Sequence, residues 1–292
     1  MTLCLNLGGL VFKFEYNCDL NINDNLKDFV CVSDTCNIHI HISRNYEELE
    51  LPSKEHFLSQ DLIHKYYKHN NKNYCIARGR EEHHLAVSIY EDIHEIYFYL
   101  NDKPFIFPIN DLGSILRLLP LNNIFANSKR LFLHSSQICY NNKGIVFTGP
   151  SGMGKTTQSK LWEKYKNAEI VCNDRTIITK DNNKYKTYGL PIDGSSPIRS
   201  TESYDLAAIV VLEKNLDSKI EKMPASKAIA SLMSQMIVSD WNSGNKENII
   251  NMIIELYQDI PVYKLSCTKD EKAVECLFDK LICDEVIKIE DC

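Results

Sequence analysis

No run of this 292-residue sequence approaches the ~18 consecutive apolar residues that a membrane-spanning helix needs. The first nine residues place no basic region ahead of an apolar core, so no secretion signal is read there. A membrane is therefore not an expected partner, and the expected compartment is the cytoplasm. Excess positive charge is also missing. Lys and Arg number 33 against 39 Asp and Glu, for a formal net charge of −6, and the lysines are scattered. A phosphodiester backbone would find no basic stripe to dock on, so nucleic acid is not an expected partner either. Cys-x-x-Cys pairs are absent from the 11 cysteines. An odd count without paired spacing points to reduced thiols rather than a disulfide framework. Cys31 and Cys36 stand closest, but no second pair sits at ligand spacing. His39 and His41 follow too tightly on an apparent strand to complete a zinc site, and they are read, like His83 and His84, as ordinary strand or surface residues. Internal repeats and low-complexity tails are lacking too.

What is present is ordinary globular material, 44% apolar and 25% charged, and long enough for two compact domains. Up to about residue 125, apolar alternation over residues 11–16, 37–42, 84–90 and 95–100 is broken by Asn- and Asp-rich turns, and predicts a mostly antiparallel β module. Residues 111–121 read as a short amphipathic helix ended by Pro120. Residues 130–140 read as a strand turned back by Asn141-Asn142 into a second strand over 144–148, a hairpin. Further strands are expected over 168–172, 176–179, 186–188 and 207–212, and a helix over 225–238. A final helix opens on Thr268-x-x-Glu271, read as a capping box.

Gly149-Pro150-Ser151-Gly152-Met153-Gly154-Lys155-Thr156 fits the Walker A pattern of nucleotide-phosphate (P-loop) proteins, Gly-x-x-x-x-Gly-Lys-Ser/Thr, and lies between an apolar strand and a helical stretch. That order suits the chemistry. Glycines let successive N–H groups turn toward anionic oxygens, and a helix N-terminus adds partial positive charge. The expected nucleotide contacts are Gly149, Ser151, Gly152, Met153, Gly154, Lys155, Thr156 and Thr157. Lys155 would neutralise the β/γ phosphates of ATP, and Thr156 would offer its hydroxyl to Mg²⁺. Asp174 closes an apolar strand some distance after the loop, where a carboxylate can ligate the metal or take a proton. His134 stands on the strand preceding the loop strand and is either a group at the same mouth or a packed strand residue. The polar, turn-rich residues 189–199 include Arg199, a candidate for steadying a transferring phosphoryl group, and Ser195 and Ser196, candidates for substrate contact; a surface loop is the competing account.

His134-Ser135-Ser136, the hairpin, the glycine loop, Cys172-Asn173-Asp174-Arg175, Tyr188-Gly189-Leu190-Pro191 and the strand over 208–213 together resemble the HPr kinase/phosphorylase group, whose core is shared with phosphoenolpyruvate carboxykinase. The resemblance covers roughly residues 126–240. It implies an α/β mixed-sheet P-loop kinase core that uses ATP and Mg²⁺, with catalytic Lys155, Asp174 and His134. Where that group commonly carries two adjacent acids, this sequence has Asn173-Asp174, and an amide cannot act as a general base. The C-terminal signature of the hexameric, reversible members is not found, so their phosphorolysis and HPr substrate are not carried over. The small relatives that phosphorylate a serine of a ribosomally made precursor peptide are the nearer analogy.

The resulting expectation is a β-rich module over 1–125 and a kinase domain over 126–292. It would transfer the ATP γ-phosphate to a hydroxyl, with a serine of a peptide or small protein as the favoured acceptor. A small-molecule hydroxyl kinase and a non-catalytic ATP-binding partner module are the alternatives, and self-association into a homo-oligomer is left open.

Overall fold

A computed structural model describes residues 1–79, 83–103, 109–192, 200–237 and 243–288. Among them no helix is long and apolar enough to cross a membrane. The chain forms two compact units, residues 1–128 with 238–246, and residues 129–237 with 247–292. Each is a mixed α/β arrangement around one sheet.

The first unit carries a nine-stranded sheet. Its strands are β1 Thr2–Leu7, β2 Leu10–Tyr16, β3 Val30–Cys31, β4 Ile38–Ser43, β5 Phe57–Gln60, β6 His64–His69, β7 Lys72–Arg78, β8 His84–Tyr90 and β9 Glu95–Leu100, with the short helix α1 Asp24–Lys27 between β2 and β3. The order is β3-β1-β2-β4-β9-β8-β7-β6-β5. Antiparallel pairing dominates, but β4 runs parallel to both β2 and β9. Alternation does the building: Phe12, Phe14, Ile38, Ile40, Ile96 and Phe98 are fully buried, while the residues between them face outward. Helix α2, Leu112–Leu118, starts at Asp111, whose carboxylate accepts from the Ser114 N–H at 2.8 Å. Pro120 does end that helix, but a second one, α3 Leu121–Asn127, follows at once. Phe125 of α3 meets the Phe12 ring at 6.1 Å between centroids.

The second unit contains β10 Leu131–Tyr140, β11 Lys143–Thr148, α4 Lys155–Lys166, β12 Glu169–Cys172, β13 Arg175–Asp181, β14 Lys184–Gly189, β15 Ser203–Lys214, β16 Lys219–Lys222, α5 Ala225–Met233, α6 Ser243–Asp259, whose first four residues fall in the first unit, β17 Val262–Cys267 and α7 Glu271–Cys283. The strand path is β11-β10-β13-β14-β15-β17-β16, with β12 on β10. Two of its hairpins close on Asn-Asn pairs: Asn141 and Asn142 have φ of 48° and 56°, and Asn182 and Asn183 have φ of 47° and 62°. Both residues of a two-residue turn at positive φ match the strand twist, and Asn is the non-glycine residue that tolerates this best.

The hairpin at β11 is only half of that strand's pairing. Its other edge runs parallel to β15, so the expected hairpin forms and the loop strand has a parallel neighbour besides. The physical reason is burial on both faces. Ile145, Val146 and Phe147 are all fully buried, which a strand achieves only with partners on either side and helices above. Three strands, β11, β15 and β17, therefore run parallel and end on the same edge.

Helices α4 and α7 cover this sheet through Trp162, Ala273, Val274, Leu277 and Leu281. The Trp162 ring is fully buried and meets Tyr140 edge-on at 5.8 Å, yet its indole N–H has no hydrogen-bond partner. Trp162→Ala is expected to cost about 3–5 kcal/mol, read as a fall in the denaturant midpoint. Trp162→Phe should cost clearly less, because it also removes an unsatisfied donor. Equal losses for the two would count against this packing.

Two end-signals yield to tertiary structure. The capping box does not form: the N-cap of α7 is Asp270, and Thr268 instead donates its hydroxyl to Asp270 at 2.6 Å. The helix expected over 225–238 stops at Met233, because residues 235–237 lie along β10, with Ile237 N–H donating to Phe132 O at 2.9 Å and His134 N–H to Gln235 O at 3.0 Å.

Candidate functional site

Residues 149–154 link β11 to α4. Gly149, Gly152 and Gly154 have φ of 142°, 78° and 105°, values that L side chains rarely adopt. At Gly149 space is short as well, since a Cβ would stand 3.1 Å from the Leu212 carbonyl oxygen. The loop thus needs glycine where the motif has it. Gly154 caps α4 without any side-chain hydrogen bond, so the first-turn amides of a 12-residue helix are left to an external acceptor.

Lys155 opens α4 and is only 7% exposed. Its ammonium donates to Gly149 O at 2.8 Å and to Pro150 O at 3.4 Å, folding back over its own loop. Burial lowers its pKa, opposed by the charge of Asp174. Thr156 and Thr157 follow, half-buried; Ser151 and Gly152 are exposed, and Met153 is half-buried.

Strand register brings the other groups to this edge. Thr148, the last residue of β11, pairs with Ser135 of β10, and Ser135 N–H donates to Asp174 O at 3.1 Å. Asp174 therefore lies level with the start of the loop, two strand spacings away, roughly 10 Å at ~4.8 Å per spacing. His134 pairs with Arg175, and its carbonyl accepts from the Thr148 hydroxyl at 3.0 Å. The His134 Nε2 lies 3.8 Å from Asp174 Oδ1, while Arg175 Nε donates to Asp174 Oδ2 at 3.0 Å. One carboxylate oxygen is held by a guanidinium and the other faces an imidazole. Arg175 itself lies over the Phe132 ring at 5.5 Å.

Asn173 is a second feature of this corner. It is 9% exposed, and neither its amide oxygen nor its nitrogen has a hydrogen-bond partner. A buried, unsatisfied amide costs about 1–3 kcal/mol, a penalty that a bound polar group would relieve. Beside the loop lies a cavity of about 280 Å³ lined by Met153, Gly154, Thr157, Gln158, Lys214 and Cys267 among others. It sits where β15 and β17 end, outside the carboxyl ends of parallel strands, as ligand crevices of α/β sheets do.

Lys155, His134 and Asp174 thus gather at one edge with the glycine loop. Arg199, Ser195 and Ser196 lie outside the described residues. Sequence reasoning gave no separate role to Arg175, and the cavity escaped it entirely. Arg175 was signalled only by standing next to an acid at a strand start, a weak cue, and the cavity is built from segments that are distant in the chain.

Burial, then the charges of Lys155 and Arg175, lower the His134 pKa below its usual 6.5, with Asp174 acting in the opposite sense. The folded protein thus takes up this proton less readily than the unfolded chain. The contribution to stability is intact above the unfolded pKa and is lost as pH falls below it toward the folded value. NMR titration should find His134 below 6.5, and Lys155→Ala should move it upward. A value at or above the ordinary one would contradict the burial of the ring together with the closeness of the two cations.

Comparison with known proteins gives three results. The model of the family described as ScmC, SynChlorMet cassette protein ScmC, matches residues 112–275. No curated protein matches. Among solved structures, the Hpr(Ser) kinase/phosphatase from Coxiella burnetii is similar over 53% of this chain and 89% of its own, at 11% identity and a TM-score of 0.29, a likeness too slight to bear on fold or function. The family match takes in the glycine loop, His134, Asn173, Asp174 and Arg175 and spans more than half of the sequence, and the chain therefore belongs to the ScmC family.

Proposed function

We propose that the second unit is an ATP- and Mg²⁺-dependent phosphotransferase that moves the γ-phosphoryl group to a hydroxyl, with a serine of a peptide or small protein as acceptor. The observation that carries this reading is the meeting of Lys155, His134 and Asp174 at a positive-φ glycine loop opening on an uncapped helix. The residues fit the reactants. A triphosphate supplies the acceptor oxygens that the α4 amides lack, and its charge would draw the Lys155 ammonium off the Gly149 carbonyl. The cavity along β15 and β17 offers room for the nucleoside. Thr156 would hold Mg²⁺, which neutralises phosphate charge in such transfers, and Asp174, which could either hold the metal or take a proton, is assigned here to the proton.

In the transfer, the acceptor oxygen bonds to the γ-phosphorus as the bond from that phosphorus to the bridging β–γ oxygen breaks, and ADP departs with the electron pair. The hydroxyl proton goes to a carboxylate oxygen of Asp174. Arg175 fixes one of those oxygens, leaving the one that faces His134 for the proton. His134, whose Nε2 stands 3.8 Å from that oxygen, can accept the proton in turn. Asn173 stands where the resembling kinases commonly carry an acid, and an amide can orient a substrate oxygen without taking its proton.

The test is label transfer from γ-labelled ATP, with Mg²⁺, to serine-bearing peptides encoded beside the gene. Phosphoserine in the peptide is the expected product. Tight nucleotide binding without transfer to any hydroxyl would turn the reading to a binding module. Absence of nucleotide uptake by calorimetry would end both.

A further inference from the structure

The first unit holds a group of side chains unrelated to the glycine loop. Glu15 on β2 and His39 and His41 on β4 rise from one face of the sheet. The i, i+2 spacing that argues against a zinc site when read along the chain puts both imidazoles on the same side of a strand. Parallel pairing sets Glu15 directly beside His41, and the three candidate ligand atoms lie within 4.8 Å of one another, the single such group among the described residues. Neither Cys31 nor Cys36 belongs to it.

Two of the three separations are close to those within a coordination sphere, the shorter one being a hydrogen bond when no ion is bound. Glu15 Oε2 is 3.1 Å from His39 Nε2 and 3.4 Å from His41 Nδ1. Ligands at ~2.0–2.1 Å around a tetrahedral zinc ion stand roughly 3.3–3.4 Å apart. The far nitrogen of His41, Nε2, lies 3.3 Å from Glu95 Oε1 on β9. A neutral imidazole has one N–H. If it is given to Glu95, Nδ1 is left with a lone pair 3.4 Å from Glu15 Oε2, and a cation bound there would offset the repulsion between two electron-rich atoms. A carboxylate on the outer N–H of a ligating histidine is the usual support of such a ligand. His41 stacks on Tyr97 at 4.9 Å between ring centroids, and the His39 and His41 centroids are 4.0 Å apart.

We propose that Glu15, His39 and His41 form a binding site for a divalent transition cation, Zn²⁺ in the first place, with Glu95 orienting His41 and a solvent molecule as fourth ligand. Nitrogen and carboxylate donors in a set of three suit zinc and leave one position open. The site stands on paired strands, with Glu15 exposed and the two histidines half-buried, and loading would replace the His39–Glu15 hydrogen bond and open the angle between the rings.

Calorimetry with Zn²⁺ alone, on the full chain free of nucleotide, should record one ion per chain. His39→Ala and His41→Ala should each weaken it at least 100-fold, and Glu95→Gln about 10-fold, the usual effect of losing an outer-sphere partner. Circular dichroism checks that each variant is folded. Co²⁺ in place of Zn²⁺ should give the visible bands of tetrahedral nitrogen and oxygen ligation without a thiolate charge-transfer band. No uptake by the wild-type chain, uptake unchanged when both histidines are replaced, or a thiolate band that assigns the ion to the cysteines would each overturn the proposal. A proton on both His41 nitrogens is the competing occupant, and the first of these results is its signature.

Discussion

Lys155→Ala is expected to reduce phosphoryl transfer by at least 100-fold, about 2.7 kcal/mol of transition-state stabilisation. The physical case rests on where the ammonium stands. It is buried and, among the described residues, donates to two carbonyls of its own loop, an arrangement that exchanges readily for phosphate oxygens carrying full charge. Transfer spreads negative charge over the phosphoryl oxygens and the leaving group, so a fixed cation contributes most at the transition state. Some loss of nucleotide affinity should accompany the loss in turnover, because the ground-state phosphates meet the same cation. Steady-state kinetics with calorimetry on the same variant separate the two. A decrease below 100-fold would remove Lys155 from the role assigned to it. Lys155→Arg should rescue little, since a planar guanidinium does not fit the space where the ammonium folds over the Gly149 carbonyl.

Asp174→Asn should lower turnover by about 10²–10⁴-fold, the range for loss of a positioned general base, with affinity for Mg-ATP changed only slightly. This substitution keeps the shape of the side chain and preserves one acceptor oxygen for Arg175, so the corner should stay folded. It takes away the charge and the capacity to accept a proton. Parallel losses in turnover and in Mg-ATP affinity would instead identify Asp174 as a metal holder. An unchanged rate would exclude it from the chemistry. Asn173→Asp provides the reverse experiment. It would place a second carboxylate within one residue of Asp174, where the resembling kinases commonly carry one, and a rise in transfer rate would identify the natural amide as the factor that slows the chemistry.

The loop, its flanking strand and its helix were legible in the sequence because they are local. Gly149, Gly152 and Gly154 are required by positive φ, and α4 by a continuous stretch that can be read without knowing its neighbours. The Asn141-Asn142 turn was legible for the same reason. The alternation over 11–16 and 37–42 likewise announced two strands of the first unit. What the sequence could not determine is everything that depends on which strands lie side by side. The parallel partner of β11 is β15, some sixty residues on, and the level of Asp174 with Thr148 follows from register across β10. Helix α5 ends early because residues 235–237 find hydrogen-bond partners on β10, a competition invisible to helical periodicity. The pairing of β2 with β4, which turns two unremarkable histidines and a glutamate into neighbours, is of the same kind. Propensity and motif act over a few residues, whereas register is fixed by the burial of whole faces, and that is decided only when the sheets assemble.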